Sequence, residues 1–144
     1  LRVTSDFFFR DNKKVFDVIF LDGLHTYEQT KKDVFNSLNI LSSNGFILVH
    51  DCLPRRISHQ AIPRYRGSWN GDVWKLIVEL RTIKEIDVFV SEIDYGVGVI
   101  RKKLNTNLLN LNQHNYKKLK FKDYINNNKQ YMNVLNYEKT IEKI

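Results

Sequence analysis

The sequence predicts an α/β fold with a parallel sheet at its centre. Two unbroken apolar runs, residues 18–21 and 46–49, are typical of strands that are buried on both faces. Residues 26–42 lie between them and repeat apolar side chains at helical spacing, which predicts an amphipathic helix. A strand, a helix and a second strand in this order form a βαβ unit, which joins parallel strands by a right-handed crossover.

The length and composition are those of one folded domain. The 144 residues are 42% hydrophobic and 12% aromatic, enough to bury a core. No apolar run approaches the roughly 20 residues of a membrane helix, and no signal peptide is recognisable, which predicts a soluble protein without membrane contact. The single cysteine, Cys52, excludes an internal disulfide and favours a reducing, cytoplasmic location. The first residue is Leu1 rather than methionine, as in a fragment or a trimmed chain.

The net charge of +7 raises the question of an anionic partner. The lysines are scattered, and in the last third of the chain they are mixed with asparagines. This pattern favours a solvated surface over a nucleic-acid-binding face. A basic nucleic-acid-binding module stays an alternative, and it predicts binding that weakens steeply with salt.

The first half of the chain divides at recognisable caps. Residues 5–14 predict a short helix, and residues 22–23 turn the chain after the first strand. Thr26, with Gln29 three residues later, matches a capping box for the crossover helix. Gly45 is predicted as the left-handed residue that ends this helix before the second strand.

A long loop opens the second half. Residues 52–71 are too many for an ordinary connection, and loops of this length are usually functional or mobile. A helix is predicted over residues 72–84, with Asp72 as its cap. The rest of the chain is predicted as two strands near a hairpin and an Asn/Lys/Tyr-rich helical extension: residues 86–90, 95–100 and 104–144.

Chemistry-bearing residues follow both apolar strands of the βαβ unit. Asp22 ends the first strand, Asp51 lies just past the second, and His25 stands at the start of the helix between them. Ligands of open parallel sheets sit outside the carboxyl ends of the strands, so these side chains are expected to share one crevice. Two facing carboxylates repel each other unless a proton or a cation lies between them, and oxygen ligands suit Mg²⁺. Each residue also has a plain alternative, since all three could serve as turn or capping residues.

Three motifs together carry a family resemblance. They resemble the class I S-adenosylmethionine-dependent methyltransferases, and most closely the bacterial group that acts on sugars, antibiotics and other small hydroxyl compounds. The resemblance covers residues 1–103, which would form the C-terminal part of the methyltransferase domain. The motifs are DGLHTYE at 22–28, GFILVHDC at 45–52 and WNGDVWK at 69–75.

The resemblance implies a Rossmann-like sheet of which this chain supplies strands four to seven with flanking helices. The glycine-rich turn and the ribose-binding acid of the cofactor half have no counterpart in the chain. The resemblance further implies that His25 is the general base with Asp22 beside it as the catalytic residues. It implies S-adenosylmethionine contacts from Ser5, Asp6, Asp22 and Gly23.

The resemblance also implies Mg²⁺ held by Asp22 and Asp51. Metal-dependent members carry a further acid or amide at the next position. Cys52 stands there in this chain, and a thiolate is a soft ligand that suits Mg²⁺ poorly.

The long loop holds the candidate substrate residues. Guanidinium groups grip carboxylates and phosphates with paired hydrogen bonds, so the loop arginines predict an acidic acceptor such as a nucleotide-linked sugar. Solvated arginines and a structural tryptophan are the plain alternative. A homo-oligomer and a non-catalytic half-domain that completes a partner also stay open. The residues are Arg55, Arg56, Arg64, Arg66 and Trp69.

Overall fold

The computed structural model describes residues 3–144, which form one mixed sheet with helices packed against it. Five strands lie in the order β1-β2-β4-β3-β5. The strands are β1 Phe16–Leu21, β2 Leu41–Val49, β3 Asp87–Ser91, β4 Val97–Arg101 and β5 Val134–Leu135. The helices are α1 Ser5–Asp11, α2 Tyr27–Ile40, α3 Trp74–Leu80, α4 Phe121–Met132 and α5 Tyr137–Lys143.

The predicted βαβ unit is confirmed. β1 and β2 are parallel neighbours joined through α2, with Val18 opposite Phe46 and Leu21 opposite Val49. β4 inserts antiparallel between β2 and β3, so β2 and β3 run in the same direction and α3 crosses over between them. The carboxyl ends of β1, β2 and β3 therefore meet at one edge of the sheet.

The core lies between the sheet and the helices α2 and α3. Ile47 and Val49 of β2 are 0% and 1% exposed, and Val34 of α2 and Ile77 of α3 are fully buried in the same cluster. Burying such aliphatic side chains contributes about 1.5–3 kcal/mol each to folding. This packing holds the first residues of α2 against the carboxyl ends of β1 and β2.

The strand β1 departs from the expectation of burial on both faces. Ile19 and Leu21 pack against the core, but Val18 and Phe20 are 51% and 56% exposed. β1 is an edge strand of the described sheet, and nothing among the described residues covers its outer face.

Gly45 has a different role from the predicted one. α2 ends at Ile40 with Leu41 in extended backbone, and β2 begins at once, so Gly45 lies inside the strand. A side chain at Gly45 would come within 2.6 Å of the Asp17 carbonyl oxygen. The pairing of β1 and β2 shifts register at this point, and glycine is needed for the close approach of the backbones.

The last forty residues contribute more than helices. After a 3₁₀ turn at Tyr116–Lys118, α4 leads into β5, which pairs parallel with β3. Arg101 and Lys143 both reach the buried Asp87, and Lys143 lies 4.5 Å above the ring of Phe89. These contacts bind α5 to β3 and β4. Across residues 3–144, every helix is too short or too polar to span a bilayer.

Candidate active site

Asp22, His25 and Asp51 converge at the carboxyl ends of β1 and β2. His25 Nε2 lies 3.1 Å from Oδ1 of Asp22, and His25 Nδ1 lies 2.9 Å from Oδ2 of Asp51. The Nδ1 atom is also 3.3 Å from the Trp69 carbonyl oxygen. The imidazole is therefore held between two carboxylates, each from the end of a different strand.

The two aspartates differ in their surroundings. Asp51 is buried and adopts a left-handed backbone, with φ of 63°, at the end of β2. Its second oxygen accepts a 2.6 Å hydrogen bond from the side-chain amide of Asn70. Asp22 is 45% exposed in its side chain. Asp51 is thus the fixed partner of His25, and Asp22 is the partner that faces solvent.

The charges around His25 favour its protonated form. The Asp51 carboxylate raises the pKa of His25 above its ordinary value, opposed by burial and helped by Trp69 and Asp22. An imidazolium donates from both nitrogens, which suits a ring with an oxygen acceptor on each side. The surrounding acceptors therefore stabilise a proton that His25 receives.

A second histidine extends the cluster. His50 Nε2 lies 2.9 Å from Oδ2 of Asp94, and His50 Nδ1 lies 3.4 Å from Asp51 and 3.6 Å from Asp22. Burial disfavours the charged form of His50, but Asp94, Asp51 and Asp22 outweigh it and raise its pKa. The sequence predicts His50 as a packed or hydrogen-bonded residue. Asp94 lies in the turn between β3 and β4, and no sequence pattern predicts its contact with His50.

The long loop closes over His25 through Trp69. The two rings stack with centroids 5.2 Å apart and an angle of 16° between their planes. The Trp69 indole donates a 2.7 Å hydrogen bond to the carbonyl of Ala61, which fixes it within the loop. The loop thereby shields one face of the imidazole.

Gly71 lets the loop approach the start of α2. Its φ is +63°, and a Cβ there would lie 1.5 Å from the carbonyl oxygen of His25. The next residue, Asp72, donates its backbone N–H to that same carbonyl at 3.2 Å. Only glycine allows this contact, and the contact places the backbone of His25.

Asp72 caps a different helix from the predicted one. Its side chain accepts a 2.7 Å hydrogen bond from the backbone N–H of Tyr27, the first residue of α2. α3 begins at Trp74 with Val73 before it and without a side-chain cap. The loop thus caps the start of α2, close to His25. The predicted cap by Thr26 is also present, and its side chain accepts a hydrogen bond from the backbone N–H of Gln29 at 3.4 Å.

An open groove of 910 Å³ runs along β1 beside this cluster. Its lining includes aromatic side chains of α1 and β1 together with polar side chains. All four residues predicted to contact the cofactor line it: Ser5, Asp6, Asp22 and Gly23. Their contact with S-adenosylmethionine stays a prediction, but the fold brings them to one surface that also reaches the His25 cluster.

The residues do not fit the Mg²⁺ site expected at Asp22 and Asp51. Asp22, His25 and Asp51 each offer one atom within 4.8 Å of the others, so their spacing alone would admit an ion. His25, however, lies between the two carboxylates and contacts both, and an imidazole nitrogen is a poor ligand for so hard a cation. Cys52 points away: it is fully buried, its thiol lies 3.2 Å from the Val49 carbonyl, and burial raises its pKa to about 12. A neutral buried thiol ligates no metal.

The candidate substrate residues lie around the loop without forming one cluster. Arg64 stacks on Trp69 at 5.6 Å, and Arg55 stacks on Tyr95 at 5.4 Å with its guanidinium 3.4 Å from the Asp94 carbonyl. Arg56 and Arg66 are exposed. Among the predicted substrate residues, Trp69 therefore contacts His25 directly, and Arg64 contacts Trp69.

The contacts of two residues near the candidate site are not predicted by the sequence alone. Asn70 holds Asp51, and its own Oδ1 is buried without a partner among the described residues. Asp72 caps α2 from a distance. Both fall in the WNGDVWK motif, so the motif marks their position, but their partners are 19 and 45 residues away in sequence.

Comparisons with known proteins point to a methyltransferase domain. A family model described as a methyltransferase domain matches residues 2–52, which include α1, β1, α2 and β2. The crystal structure of a Podospora anserina methyltransferase, PaMTH1, bound to SAH is similar with a TM-score of 0.53 and 25% identity. The match covers 69% of this chain and 46% of PaMTH1, so the chain spans less than half the length of that protein. No curated protein matches the chain.

The matched residues contain the DGLHTYE and GFILVHDC motifs, and the matched fold contains the sheet that brings them together. The resemblance seen in the sequence is confirmed: residues 2–52 match a methyltransferase domain, and the chain is similar in fold to part of an SAH-bound methyltransferase.

Proposed function

We propose that the chain is the catalytic and acceptor-binding part of an S-adenosylmethionine-dependent O-methyltransferase for a sugar or another small hydroxyl compound. The observation that carries the proposal is His25, held between Asp22 and Asp51 at the end of a groove. The matched methyltransferase family and the SAH-bound neighbour support the cofactor.

The groove fits one side of such a cofactor. Apolar and aromatic side chains such as Phe8 and Phe9 suit a flat heteroaromatic ring, and the carboxylates of Asp6 and Asp22 suit its amino groups and positive charge. When bound, S-adenosylmethionine supplies a methyl group activated by a sulfonium sulfur. The residues of this chain then have two tasks, to place the acceptor oxygen in line and to remove its proton.

Proton removal falls to His25. Its Nε2 faces the partly exposed Asp22, so an acceptor hydroxyl can take the place of Asp22 and donate to Nε2 of the neutral ring. Asp51 stays on Nδ1, where it fixes the ring orientation and stabilises the imidazolium that forms. Trp69 keeps water from one face of the ring through its stacking contact.

The loop arginines support an acidic acceptor. Arg64 lies over Trp69, which stacks on His25, and Arg55 contacts the carbonyl of Asp94, whose side chain pairs with His50. A phosphate or carboxylate on the acceptor would meet guanidinium groups on both sides of the cluster. A nucleotide-linked sugar has this combination of hydroxyl and phosphate groups.

The test is methyl transfer by the natural gene product that contains this chain. We expect radioactivity from S-adenosylmethionine labelled in its methyl group to enter an ether linkage on one member of a nucleotide-sugar panel. His25→Gln should lower the rate by roughly 10²- to 10⁴-fold, as for a lost general base. The matched control His114→Gln changes an exposed histidine outside the cluster and should leave the rate unchanged.

Equal rates for the wild type and His25→Gln would refute the role of His25. Labelling of a nitrogen or carbon atom would refute O-methylation while leaving methyl transfer in place. Without transfer to any acceptor, the enzyme proposal itself fails.

A further inference from the structure

A second cavity, of 720 Å³, lies between the helix α4 and the start of the long loop. Its lining comes from three parts of the chain: the first residues of the loop, the turn after β3, and α4 with β5. Its polar side chains are Arg55, Glu92, Asp94, Asn128 and Lys129. We call it the α4 cavity.

Contacts with the core and between backbones hold the lining of the α4 cavity in place. On α4, Tyr124 is 3% exposed, and its ring centroid lies 4.9 Å from that of Trp74. The backbone N–H of Glu92 donates to a carbonyl of β5 at 3.0 Å, and that of Leu53 donates to the Tyr95 carbonyl at 2.7 Å. The cavity is therefore built into the fold, and the C-terminal extension supplies one of its walls.

Two cationic side chains in the α4 cavity lack a carboxylate partner. Arg55 lies over the ring of Tyr95 and donates to the Asp94 carbonyl, and Lys129 is exposed on α4. Within residues 3–144, neither forms an ion pair. The carboxylate of Asp94 also lines the cavity, but it is paired with His50 at 2.9 Å. Both cations are therefore available to an anionic group of a ligand.

The rest of the lining suits a sugar. The carboxylate of Glu92 can accept hydrogen bonds from hydroxyl groups, and the amide of Asn128 can both donate and accept. The apolar part of the lining suits the C–H face of a sugar ring and includes Leu53, Ile125 and Val134. Binding pockets combine such apolar lining with a few polar groups that fix the orientation of the ligand. The ligand class that this combination fits is a sugar with a phosphate or carboxylate group.

The α4 cavity adjoins the proposed catalytic cluster through one side chain. His50 Nε2 contacts Asp94, which lines the cavity. On the other side of the same ring, His50 Nδ1 lies 3.4 Å from Asp51, the partner of His25. An acceptor whose hydroxyl meets His25 can therefore extend past His50 into the cavity.

We propose that the α4 cavity binds the anionic sugar part of the acceptor, with Arg55 and Lys129 on its phosphate or carboxylate group. This rests on the proposed function and adds to it an acceptor-binding residue, Lys129, from the C-terminal extension. Lys129 determines which acceptor binds without touching the reacting atoms. The family model ends at residue 52, so α4 lies outside the residues that it matches.

NMR titration of the natural gene product that contains this chain tests the cavity without turnover. The probes are glucose-1-phosphate and glucuronate, with glucose as the neutral control. We expect the backbone amide signals of Glu92, Asn128 and Lys129 to shift with at least one anionic sugar and to stay in place with glucose. The tighter of the two anionic sugars identifies the anionic group that the cavity takes.

Lys129→Gln should weaken this binding by roughly tenfold, because one hydrogen bond to a charged group is lost. Lys129→Arg keeps the charge and should retain the binding. The matched control is Lys122→Gln, which changes an exposed lysine of the same helix outside the cavity lining and should leave the binding unchanged.

The methyl-transfer assay gives a second measurement. Lys129→Gln should raise KM for the acceptor and leave kcat unchanged, because Lys129 binds the acceptor equally in the ground state and the transition state. Lys122→Gln should change neither constant.

Three results would overturn the proposal: equal shifts with glucose, equal weakening by Lys129→Gln and Lys122→Gln, or no shift of the cavity amides with either anionic sugar. Methyl transfer with an unchanged KM in Lys129→Gln would refute the role of the cavity while leaving the proposed function in place. Binding of an anionic sugar by a protein that transfers no methyl group would leave the cavity standing and refute the activity.

Discussion

His25 is surrounded by carboxylates that hold it more basic than a histidine in water. Asp51 is the buried partner, hydrogen-bonded by Asn70, and Asp22 is the partly exposed partner. The same residue type at two strand ends is therefore suited to different tasks, because Asp51 is desolvated and Asp22 is not.

The pKa of His25 should appear in the pH dependence of stability. It is raised in the folded state above its ordinary value of 6.5, chiefly by Asp51. The stabilisation is therefore fully present below pH 6.5 and is lost as the pH rises through the folded pKa. We expect Asp51→Asn to bring the His25 pKa back toward 6.5 and to weaken this slope. NMR titration of the imidazole and urea unfolding at several pH values measure both effects, and an unchanged pKa in Asp51→Asn would contradict them.

Activity should depend on pH in the opposite direction. Proton removal needs neutral His25, so kcat/KM of the complete enzyme should rise with pH through a pKa above 6.5. In Asp51→Asn this limb should move to lower pH while the maximal rate falls. A pH profile whose lower limb stays in place in Asp51→Asn would assign it to another group.

Removal of divalent metal ions should leave the rate of methyl transfer unchanged. His25 already lies between Asp22 and Asp51, at the place where a bridging cation would sit. We expect full activity in the presence of a chelator. Loss of activity that added Mg²⁺ restores would show instead that the cation displaces the imidazole in the working enzyme.

Gly71 and Gly67 provide a matched pair of substitution sites that tests the contact between the long loop and His25. Both have positive φ, so alanine strains the backbone at either position, but only at Gly71 would a Cβ strike the His25 carbonyl. We expect Gly67→Ala to cost about 1 kcal/mol of unfolding free energy and Gly71→Ala to cost about 1–3 kcal/mol more. Urea unfolding measures the difference. Equal losses would mean that the loop moves away without cost.

At the scale of elements, α2 has two caps from different parts of the chain. Thr26 precedes the helix directly, and Asp72 arrives from the long loop to accept from Tyr27. Asp72 also lies 3.1 Å from the partly buried Lys75, so it joins the loop, α2 and the start of α3. The loop is thereby tied to the helix that carries His25 at its entrance.

Asp72→Ala tests this link. It removes a cap and leaves Lys75 without its carboxylate, so we expect a loss of about 1–2 kcal/mol in unfolding free energy and faster exchange of the Tyr27 amide. Thr26→Ala is the control on the same helix, and its longer hydrogen bond predicts a smaller loss. If Thr26→Ala lowers the unfolding free energy as much as Asp72→Ala does, the cap from the long loop is no stronger than the local cap.

At the scale of the whole molecule, the two ends of the described sheet differ: other elements cover one end and leave the other uncovered. The groove beside β1 is lined by Ser5 and Asp6 and also by Val18 and Phe20, which lie on the exposed face of β1. The proposed catalytic cluster and the proposed cofactor-binding residues therefore lie at the edge strand of the described sheet.

The isolated chain should therefore bind S-adenosylmethionine weakly or not at all. Contacts on one side of a ligand bury too little of its surface for tight binding. Calorimetric titration of the chain should show no saturation at micromolar concentrations. A low-micromolar dissociation constant would show that the groove suffices without a further wall.

The βαβ unit could be read from local patterns, which also predict where the candidate site lies, and the family was indicated by the resemblance of three motifs. The apolar runs predict β1 and β2, Thr26 predicts the start of α2, and strands that end in Asp22 and Asp51 predict a shared crevice. These features depend on residues within one strand or one helix turn, where sequence spacing and spatial position are directly related.

The tertiary structure decided what depends on contacts between distant segments. Sequence alone placed Asp72 on its own helix, Gly45 at a helix end and Cys52 near the site. The fold instead carries Asp72 to α2, sets Gly45 against the backbone of Asp17, and turns Cys52 into the core. It also places Asp94 and Asn70 in the histidine cluster and exposes one face of β1. Such pairings follow from how the strands are ordered and how the loop folds back, and residue spacing along the chain does not determine either of them.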